Sequence, residues 1–367
     1  MKKFFKYLVG LIIFLVVSSF VTYKIMIQDV EFGGNPLVDR ADLLKTAPNF
    51  KDSHFHNTLK ERPSDLWVNL KDFWNSIDKF PPSPFPQVKP QYLETPRQGL
   101  HAVWFGHASV LVEIDGHRVF FDPVLSDFAF PVKSVAPQRQ NPPPLSLEEL
   151  PTIDAVVISH DHYDHLDMKT LKHLAKQGTM FFVGLGVGAH LEKWNIPLEQ
   201  IKEMKWGDSI SLKGLTINCT EARHYSGRKA MSMDTLWTSW VIQGEKHTVF
   251  HSGDSGYSEH FKLIGDQFPN IDISLIKVGD YGLDLAWQDI HMVPESSIQA
   301  HIDLGAKVMI PIHWGVFILS NHSWNEPIER ALAASKEKGI ELVTPKLGEE
   351  VIFGKTFKNE LWWRNLK

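Results

Sequence analysis

The chain has 367 residues, 43% hydrophobic and 22% charged, which is typical of a globular protein with one large domain or two smaller ones. The 23 Phe, 12 Trp and 7 Tyr exclude extensive disorder, and the single cysteine, Cys219, excludes an intrachain disulfide framework. The net charge is −5. Because the first 24 residues carry four lysines and no acidic residue, the remainder carries −9, which argues against nucleic acid as a partner.

The N-terminal segment, residues 1–29, contains an uncharged apolar stretch at 7–23, YLVGLIIFLVVSSFVTY. Seventeen residues are close to the lower limit for a helix that crosses a bilayer. A cleaved signal peptide is the alternative, but the bulky end of this stretch is a poor cleavage site. We therefore predict a transmembrane anchor. The lysines of MKKFFK place its N-terminus in the cytoplasm and the rest of the chain outside the membrane.

Residues 30–97 form a lead-in that is rich in proline and aromatic residues, including PPSPFP at 81–86. Proline at this density disfavours both helices and central strands. One amphipathic helix is predicted at 66–77, with an apolar face made of Leu66, Leu70, Phe73, Trp74 and Ile77. We expect the lead-in to be an extended arm packed against the main domain, or a membrane-proximal surface that positions substrate.

The main domain is predicted at 98–355, followed by a C-terminal tail at 356–367. It begins with short apolar strands joined by hairpin signals such as Asp115-Gly116. Buried strands, a helix at 168–178 and further hairpins follow. Strands then alternate with predicted helices, which are His260–Phe268, Pro294–Leu304 and Glu326–Lys338. Hairpins followed by strand–helix alternation predict a layered α/β/β/α fold.

A dense cluster of histidines and aspartates, SHDHYDHLD at 159–167, comes directly after a buried strand. Alternate side chains of an extended segment point the same way, so His160 and His162 can share one metal ion. Asp164 and His165 lie further along and can face a second ion. Imidazole and carboxylate ligands without thiolate suit Zn²⁺.

Three later residues also follow strands and complete this set: His224, Asp254 and His313. We predict that His224 joins the first ion, that His313 joins the second, and that Asp254 bridges the two. A pair of metal ions can hold a hydroxide between them and clamp the attacking and leaving oxygens. The sequence therefore predicts a two-zinc hydrolytic site in which Asp254 is essential.

These motifs resemble those of the metallo-β-lactamase superfamily, and within it N-acylphosphatidylethanolamine-hydrolysing phospholipase D and its bacterial relatives. The resemblance spans about residues 98–350, through WFGHASVLVEIDG, SHDHYDHLD, FHSGDSGY and IHWGVF. It implies the four-layer αββα fold, two zinc ions and hydrolysis of a phosphodiester. A more distant lactonase branch shares the GHAS-type strand, so the superfamily is better defined than the substrate.

Four further polar residues are candidates for supporting roles. Asp122 and Asp167 are each expected to accept a hydrogen bond from the outer nitrogen of a ligand histidine. His107 resembles a family position near the metals, where a structural hydrogen bond is the alternative. His291 resembles a family histidine that faces the substrate phosphate, and the alternative is a surface histidine that caps the helix beginning at Pro294.

The sequence thus predicts a membrane-anchored di-zinc phosphodiesterase of phospholipase D type, acting on N-acylphosphatidylethanolamine-like lipids. The alternatives are a metal-dependent lactonase or amide hydrolase of the same superfamily, or a non-catalytic zinc-binding envelope protein. If the host is a bacterium, the anchor would lie in the inner membrane with the catalytic domain in the periplasm, or the protein would be exported. The oligomeric state is left open by the sequence.

Overall fold

A computed structural model describes residues 28–74, 78–229 and 232–367. The helices are α1 (Pro36–Asp39), α2 (Ala41–Leu44), α3 (Leu66–Trp74), α4 (Met168–Ala175), α5 (Gly188–Lys193), α6 (His260–Gln267), α7 (Leu285–Gln288), α8 (Pro294–Leu304) and α9 (Glu326–Lys338). The strands are β1 (Phe50–Lys51), β2 (His54–Phe55), β3 (Leu100–Gly106), β4 (Ser109–Ile114), β5 (His117–Phe121), β6 (Ala155–Ile158), β7 (Met180–Gly184), β8 (Ile201–Met204), β9 (Ser209–Leu212), β10 (Leu215–Thr220), β11 (Ser239–Gln243), β12 (Thr248–His251), β13 (Ile273–Lys277), β14 (Val308–Ile312) and β15 (Glu350–Ile352).

The first large sheet has the strand order β15-β3-β4-β5-β6-β7-β8. Strands β3 to β5 are antiparallel, whereas β5 to β8 are parallel. Asp115 and Gly116 form the two-residue turn between β4 and β5, with positive φ angles of 49° and 87°. Positive φ gives a two-residue turn the twist that its flanking strands need. The predicted hairpin is therefore present, and its register pairs Ile114 with His117.

The second large sheet has the order β14-β13-β12-β11-β10-β9. Strands β9 to β12 are antiparallel, and β12, β13 and β14 are parallel. Parallel neighbours need a crossover connection, which α6 provides between β12 and β13 and α8 between β13 and β14. Helix α8 packs on this sheet, where Ser297 donates a hydrogen bond to the carbonyl of Lys277 and Ser274 bonds His301.

The two sheets share one hydrophobic core, because strand side chains alternate between faces. Val110 and Val112 of β4 lie in this core with Ile217 and Trp240 of the second sheet. Leu111, between them, lies in a second core that the first sheet forms with α4 and α5. A sheet covered on both faces explains why its parallel strands appear in the sequence as continuous apolar runs.

The lead-in contains more regular structure than the predicted extended arm, namely α1, α2, the β1–β2 hairpin and α3. It packs on the main domain through Phe55, which is buried against Trp237, and Phe85, which is buried against Trp314. The predicted helix at 66–77 is present as α3, and residues 75–77 lie outside the described part of the chain. Two leucines of the predicted apolar face, Leu66 and Leu70, are 68% and 40% exposed.

In the described ranges no helix combines the length and apolar character needed to cross a membrane. The anchor predicted at residues 7–23 lies outside these ranges.

The C-terminal segment, predicted as a tail at 356–367, is part of the hydrophobic core. Trp362 and Trp363 are buried there. The ring of Trp362 stacks on Trp314 at 5.4 Å and contacts Phe85 at 4.9 Å. Because Trp314 follows His313, the C-terminal segment supports the end of β14 that carries a predicted metal ligand.

We expect Trp362→Ala to lower the free energy of unfolding by about 3–5 kcal/mol, because it leaves a cavity among three aromatic rings. Thermal or urea unfolding of purified protein measures the effect. The matched control is Arg364→Ala, which removes a half-exposed ion pair with Glu329 and should cost less than about 1 kcal/mol. Equal effects of the two changes would show that the segment does not support the core.

Candidate metal centre

Three histidines converge at the edge of the molecule where strands of both sheets end. His160 and His162 lie in the loop after β6, and His224 lies after β10. Nε2 of His160 is 2.8 Å from Nδ1 of His162, which is 3.3 Å from Nε2 of His224. Their ligand atoms all lie within 4.8 Å of one another. Three imidazole nitrogens that face one another in this way can hold a divalent cation.

A second group forms beside the first around the carboxylate of Asp164. Its Oδ2 lies 3.4 Å from Nε2 of His165, 3.4 Å from Nε2 of His313 and 2.8 Å from Nε2 of His107. The ligand atoms of these four residues also lie within 4.8 Å of one another. The histidine at the end of β14 thus meets the loop after β6, as the strand-end argument predicts.

The carboxylate of Asp254, three residues after β12, lies between the two groups. One oxygen, Oδ1, is 3.2 Å from Nε2 of His313. The other, Oδ2, is 3.5 Å from Nε2 of His165 and 3.9 Å from Nε2 of His224. A carboxylate that faces both groups is suited to bridging two cations.

The unpartnered atoms of this site fit bound metal. Nε2 of His165, Nε2 of His313 and Oδ1 of Asp254 are buried without a hydrogen-bond partner. Buried polar atoms of this kind are rare in native proteins, and a metal ion would satisfy all three. The donor set is nitrogen and oxygen without sulfur, which suits a divalent cation such as Zn²⁺, Mn²⁺ or Fe²⁺.

The close packing of histidines and carboxylates shifts the pKa values of these groups. Burial lowers the pKa of His165, but the charges of Asp164 and Asp254 raise it well above its ordinary value. The pKa of Asp254 is held well below its ordinary value by His313 and His165, although burial opposes this. Burial lowers the pKa of His224 well below its ordinary value. The low pKa of Asp254 keeps its carboxylate ionised, which is the form that binds a divalent cation.

Asp122 orients His165 from behind. Its Oδ2 accepts a hydrogen bond from Nδ1 of His165 at 2.7 Å, while Ser159 donates to the same carboxylate through its backbone N–H and its hydroxyl, at 2.7 and 2.6 Å. This fixes the proton of His165 on Nδ1 and leaves Nε2 free to bind metal, the arrangement expected from the sequence. His224 is oriented in a similar way, since its Nδ1 lies 3.1 Å from the carbonyl of Ile290.

Asp167 does not have the role that the sequence predicted. In the described structure its carboxylate contacts no ligand histidine. It caps the N-terminus of α4 by accepting a bond from the N–H of Lys169, and it also accepts bonds from Ser126 and Thr170. The physical reason is the helix itself, which begins at Met168 and leaves backbone N–H groups that this aspartate satisfies.

His107 lies directly beside two of the predicted metal ligands. It has a positive φ of 54° in the turn after β3, and its ring lies 3.8 Å from the ring of His313. Nε2 bonds Asp164, while Nδ1 is buried without a partner. Burial and the neighbouring His313 lower its pKa to about 3. His107 therefore bonds a predicted ligand carboxylate as a neutral ring.

His291 lies beside the two histidine groups in the loop that precedes α8. Its Nδ1 is 3.7 Å from Oδ2 of Asp254, and its ring stacks on Trp287 at 4.7 Å. Its ligand atom forms a third close group with those of His224 and Asp254. His291 is buried, so the alternative of a surface histidine does not describe it.

The sequence analysis did not identify two polar residues that lie next to His291. Nζ of Lys277 is 2.7 Å from Nδ1 of His291, and Oδ2 of Asp280 is 3.5 Å from Nε2. Lys277 is buried in β13, and burial lowers its pKa. The sequence feature that could have indicated Lys277 is the single lysine inside the apolar strand segment DISLIKVG. A buried lysine in a central strand is rare enough to indicate a polar neighbour.

Comparison with known proteins identifies the family. Residues 117–314, more than half of the chain, match a beta-lactamase superfamily domain, and the chain belongs to this superfamily. It is a metal-dependent hydrolase with the mixed α/β metallo-β-lactamase fold, as the sequence motifs predicted.

Two relatives and one solved structure illustrate what the chain is similar to. An uncharacterized protein of Mycobacterium tuberculosis is 40% identical over 87% of this chain and 88% of its own length. The N-acyl-phosphatidylethanolamine-hydrolyzing phospholipase D 1 of Caenorhabditis elegans is 32% identical over 68% of this chain and 75% of its own length. The solved structure of Igni18, a novel metallo hydrolase of Ignicoccus hospitalis, is 22% identical, covers 70% of this chain and 99% of its own, and has a TM-score of 0.52. That structure supports the fold alone.

We expect Asp254→Ala to lose most of its bound metal, because the alanine removes the carboxylate that lies between the two histidine groups. Elemental analysis of protein purified with and without added divalent metal measures this directly. The matched control is His54→Ala, since His54 is an exposed histidine of the β1–β2 hairpin and should leave the metal content unchanged. A fully loaded Asp254→Ala protein would contradict the bridging position.

Proposed function

We propose that the chain is a di-zinc phosphodiesterase of phospholipase D type that acts on N-acylphosphatidylethanolamine-like lipids. The observation that carries the proposal is the pair of histidine groups that share the carboxylate of Asp254. In this assignment His160, His162 and His224 would hold one zinc, Asp164, His165 and His313 would hold the other, and Asp254 would be available to both. Zinc would supply Lewis acidity for the phosphoryl oxygens and would lower the pKa of bound water.

The protein itself supplies orientation and a hydrogen-bond donor. Asp122 and Ser159 hold His165 in one tautomer, so its metal-facing nitrogen needs no reorganisation during the reaction. His291 lies beside Asp254, but it belongs neither to the group of three histidines nor to the group around Asp164. This position suits contact with the substrate phosphoryl group or leaving oxygen. The relative from Caenorhabditis elegans that is named for this lipid hydrolysis supports the substrate class.

An exposed apolar surface on α3 supports a lipid substrate. On α3, Trp67 and Trp74 are each 78% exposed and Leu66 is 68% exposed. Exposed apolar clusters of this kind often mark membrane or partner contacts. Tryptophan in particular suits the interface between water and lipid, because its ring is apolar and its N–H is polar.

Hydrogen bonds connect this apolar surface to the segment that carries His291. Asp284 accepts hydrogen bonds from Ser64, which precedes α3, and from Asn69, which lies within α3. Arg62 donates three hydrogen bonds to Asp289, one from its backbone N–H and two from its side chain, and Asp289 lies two residues before His291. Leu283 and Leu285, on either side of Asp284, are also exposed.

We also propose that the apolar segment at 7–23 anchors the chain in the bacterial inner membrane with the catalytic domain in the periplasm. The support is the charge asymmetry of the sequence, since the lysines of MKKFFK precede the segment and the remainder of the chain is acidic. An anchor of this kind would keep the apolar surface of α3 near lipid. Protease treatment of spheroplasts tests this, because a catalytic domain that stays protected until lysis would reverse the orientation.

Zinc-loaded protein is expected to hydrolyse N-acylphosphatidylethanolamine in mixed vesicles and to release phosphatidic acid, because the two metals and their ligands suit a phosphodiester. A chelator should abolish the activity, and added Zn²⁺ should restore it. Product analysis by mass spectrometry makes the measurement. Hydrolysis of lactones but not of phosphodiesters by the same preparation would favour the lactonase branch, and no hydrolysis of either would favour a non-catalytic role.

The variant Leu66→Ala/Trp67→Ala is expected to bind phosphatidylethanolamine vesicles about tenfold or more weakly, because it removes two side chains that would enter the interface. Vesicle sedimentation measures binding, and a water-soluble short-chain diester measures turnover without a membrane. The control, Leu198→Ala, removes an exposed leucine elsewhere on the surface and should change neither result. Unchanged vesicle binding by the α3 variant would contradict the membrane role of this surface.

A further inference from the structure

Lys277 is the one lysine that is fully buried in the described part of the chain. Burying an ammonium group is costly unless a partner compensates it. In these residues no carboxylate lies within ion-pair distance of Nζ of Lys277, but the charges of Asp254, Asp280 and Asp164 act on it. Its hydrogen-bond partner is Nδ1 of His291 at 2.7 Å. The neighbouring positions of β13 are apolar core residues. The carboxylate charges thus stabilise an ammonium group at this position, and its one direct bond goes to His291.

The contact defines the protonation of the imidazole ring. An ammonium group has only donors, so Nδ1 of His291 must accept the bond through its lone pair. A neutral ring that accepts at Nδ1 carries its proton on Nε2. Nε2 then points away from Lys277, towards Asp280, and the stack on Trp287 fixes the plane of the ring.

The surroundings of His291 favour this neutral donor form. The ring is buried, and Nζ of Lys277 lies 2.7 Å from its Nδ1. A neutral ring with its proton on Nε2 can donate a hydrogen bond to a phosphoryl or leaving oxygen but cannot itself accept a proton there. The charge that develops on such an oxygen is stabilised by a donor that is already aligned.

We propose that Lys277 is a positioning residue that holds His291 as the Nε2-protonated tautomer, so that His291 presents a hydrogen-bond donor to the substrate. This inference deepens the proposed function and rests on it for the identity of the substrate. The arrangement of Lys277 and His291, however, is a property of the protein without substrate. It can therefore be tested separately from phosphodiester hydrolysis.

The first test is the tautomer itself. In ¹⁵N NMR spectra of zinc-loaded protein, the ring of His291, assigned by the loss of its signals in His291→Gln, is expected to show an unprotonated Nδ1 and a protonated Nε2. In Lys277→Met, which keeps the length of the side chain and removes the donor, Nδ1 is expected to become protonated in part of the population. An unchanged His291 pattern in a folded Lys277→Met protein would overturn the proposal.

The second test is a double-mutant cycle on phosphodiester hydrolysis. Lys277→Met should keep its zinc and lower kcat by about 10- to 100-fold with little change in KM, since a contact made mainly in the transition state is lost. In the His291→Ala background, Lys277→Met should cost almost nothing further. Fully additive losses would assign Lys277 a purely structural role and overturn the proposal.

Two further variants keep the outcome interpretable. Lys277→Gln retains an N–H donor on a shorter side chain, and it should recover part of the kcat lost in Lys277→Met. Lys307→Met removes a half-exposed lysine that pairs with Asp272 elsewhere on the second sheet, and it should change neither the tautomer nor kcat. If the protein hydrolyses no phosphodiester but shows the expected tautomer change, the proposed function fails while the positioning role of Lys277 stands.

Discussion

The burial of Asp254 among imidazole rings is the constraint on which the rest of this structure depends. An ionised carboxylate in a buried position is stable only if positive charge lies on several sides of it. Here the groups that face it come after strands of both sheets, His165 after β6 and His313 after β14, and they are placed to hold cations beside it. The two sheets must therefore end at the same edge, and their shared core holds them there.

Much of this arrangement could be predicted from the sequence because it follows from local rules. The Asp115-Gly116 turn, the bounds of the helices Pro294–Leu304 and Glu326–Lys338, and the position of each metal-ligand candidate after a strand all depend on short segments. The sequence Pro-Glu at the start of α8 and Gly305 directly after it, with a left-handed backbone, are signals that need no knowledge of the fold. The histidine spacing in SHDHYDHLD is equally local.

What the sequence did not reveal depends on contacts between distant segments. Asp167 lies in the histidine cluster, but the N-terminus of α4 determines its bonds. Trp362 lies 48 residues after Trp314, and no pattern near either residue indicates that they stack. The short helix α5 and strand β8 lie between stronger signals and were not predicted. For α3 the helix could be predicted, but the exposure of its apolar side chains could not, since amphipathic helices usually bury that face.

The site consists of two parts that are supported in different ways. The metal-ligand candidates follow strands of the two sheets, including the edge strand β14. The bond from His165 to Asp122, which follows the neighbouring strand β5, shows how the sheet fixes them. His291 instead lies in a loop that the lead-in holds through Arg62 and Asp289, while Lys277 fixes its ring from the strand side. Asn57 of the lead-in also bonds the backbone of His224, and the carbonyl of Ile290, next to His291, bonds the ring of His224. A change in the lead-in would therefore move His291 and the ligand candidate His224 together. Because the same lead-in carries the exposed side chains of α3, the packing of that helix and the positions of the two histidines depend on one another.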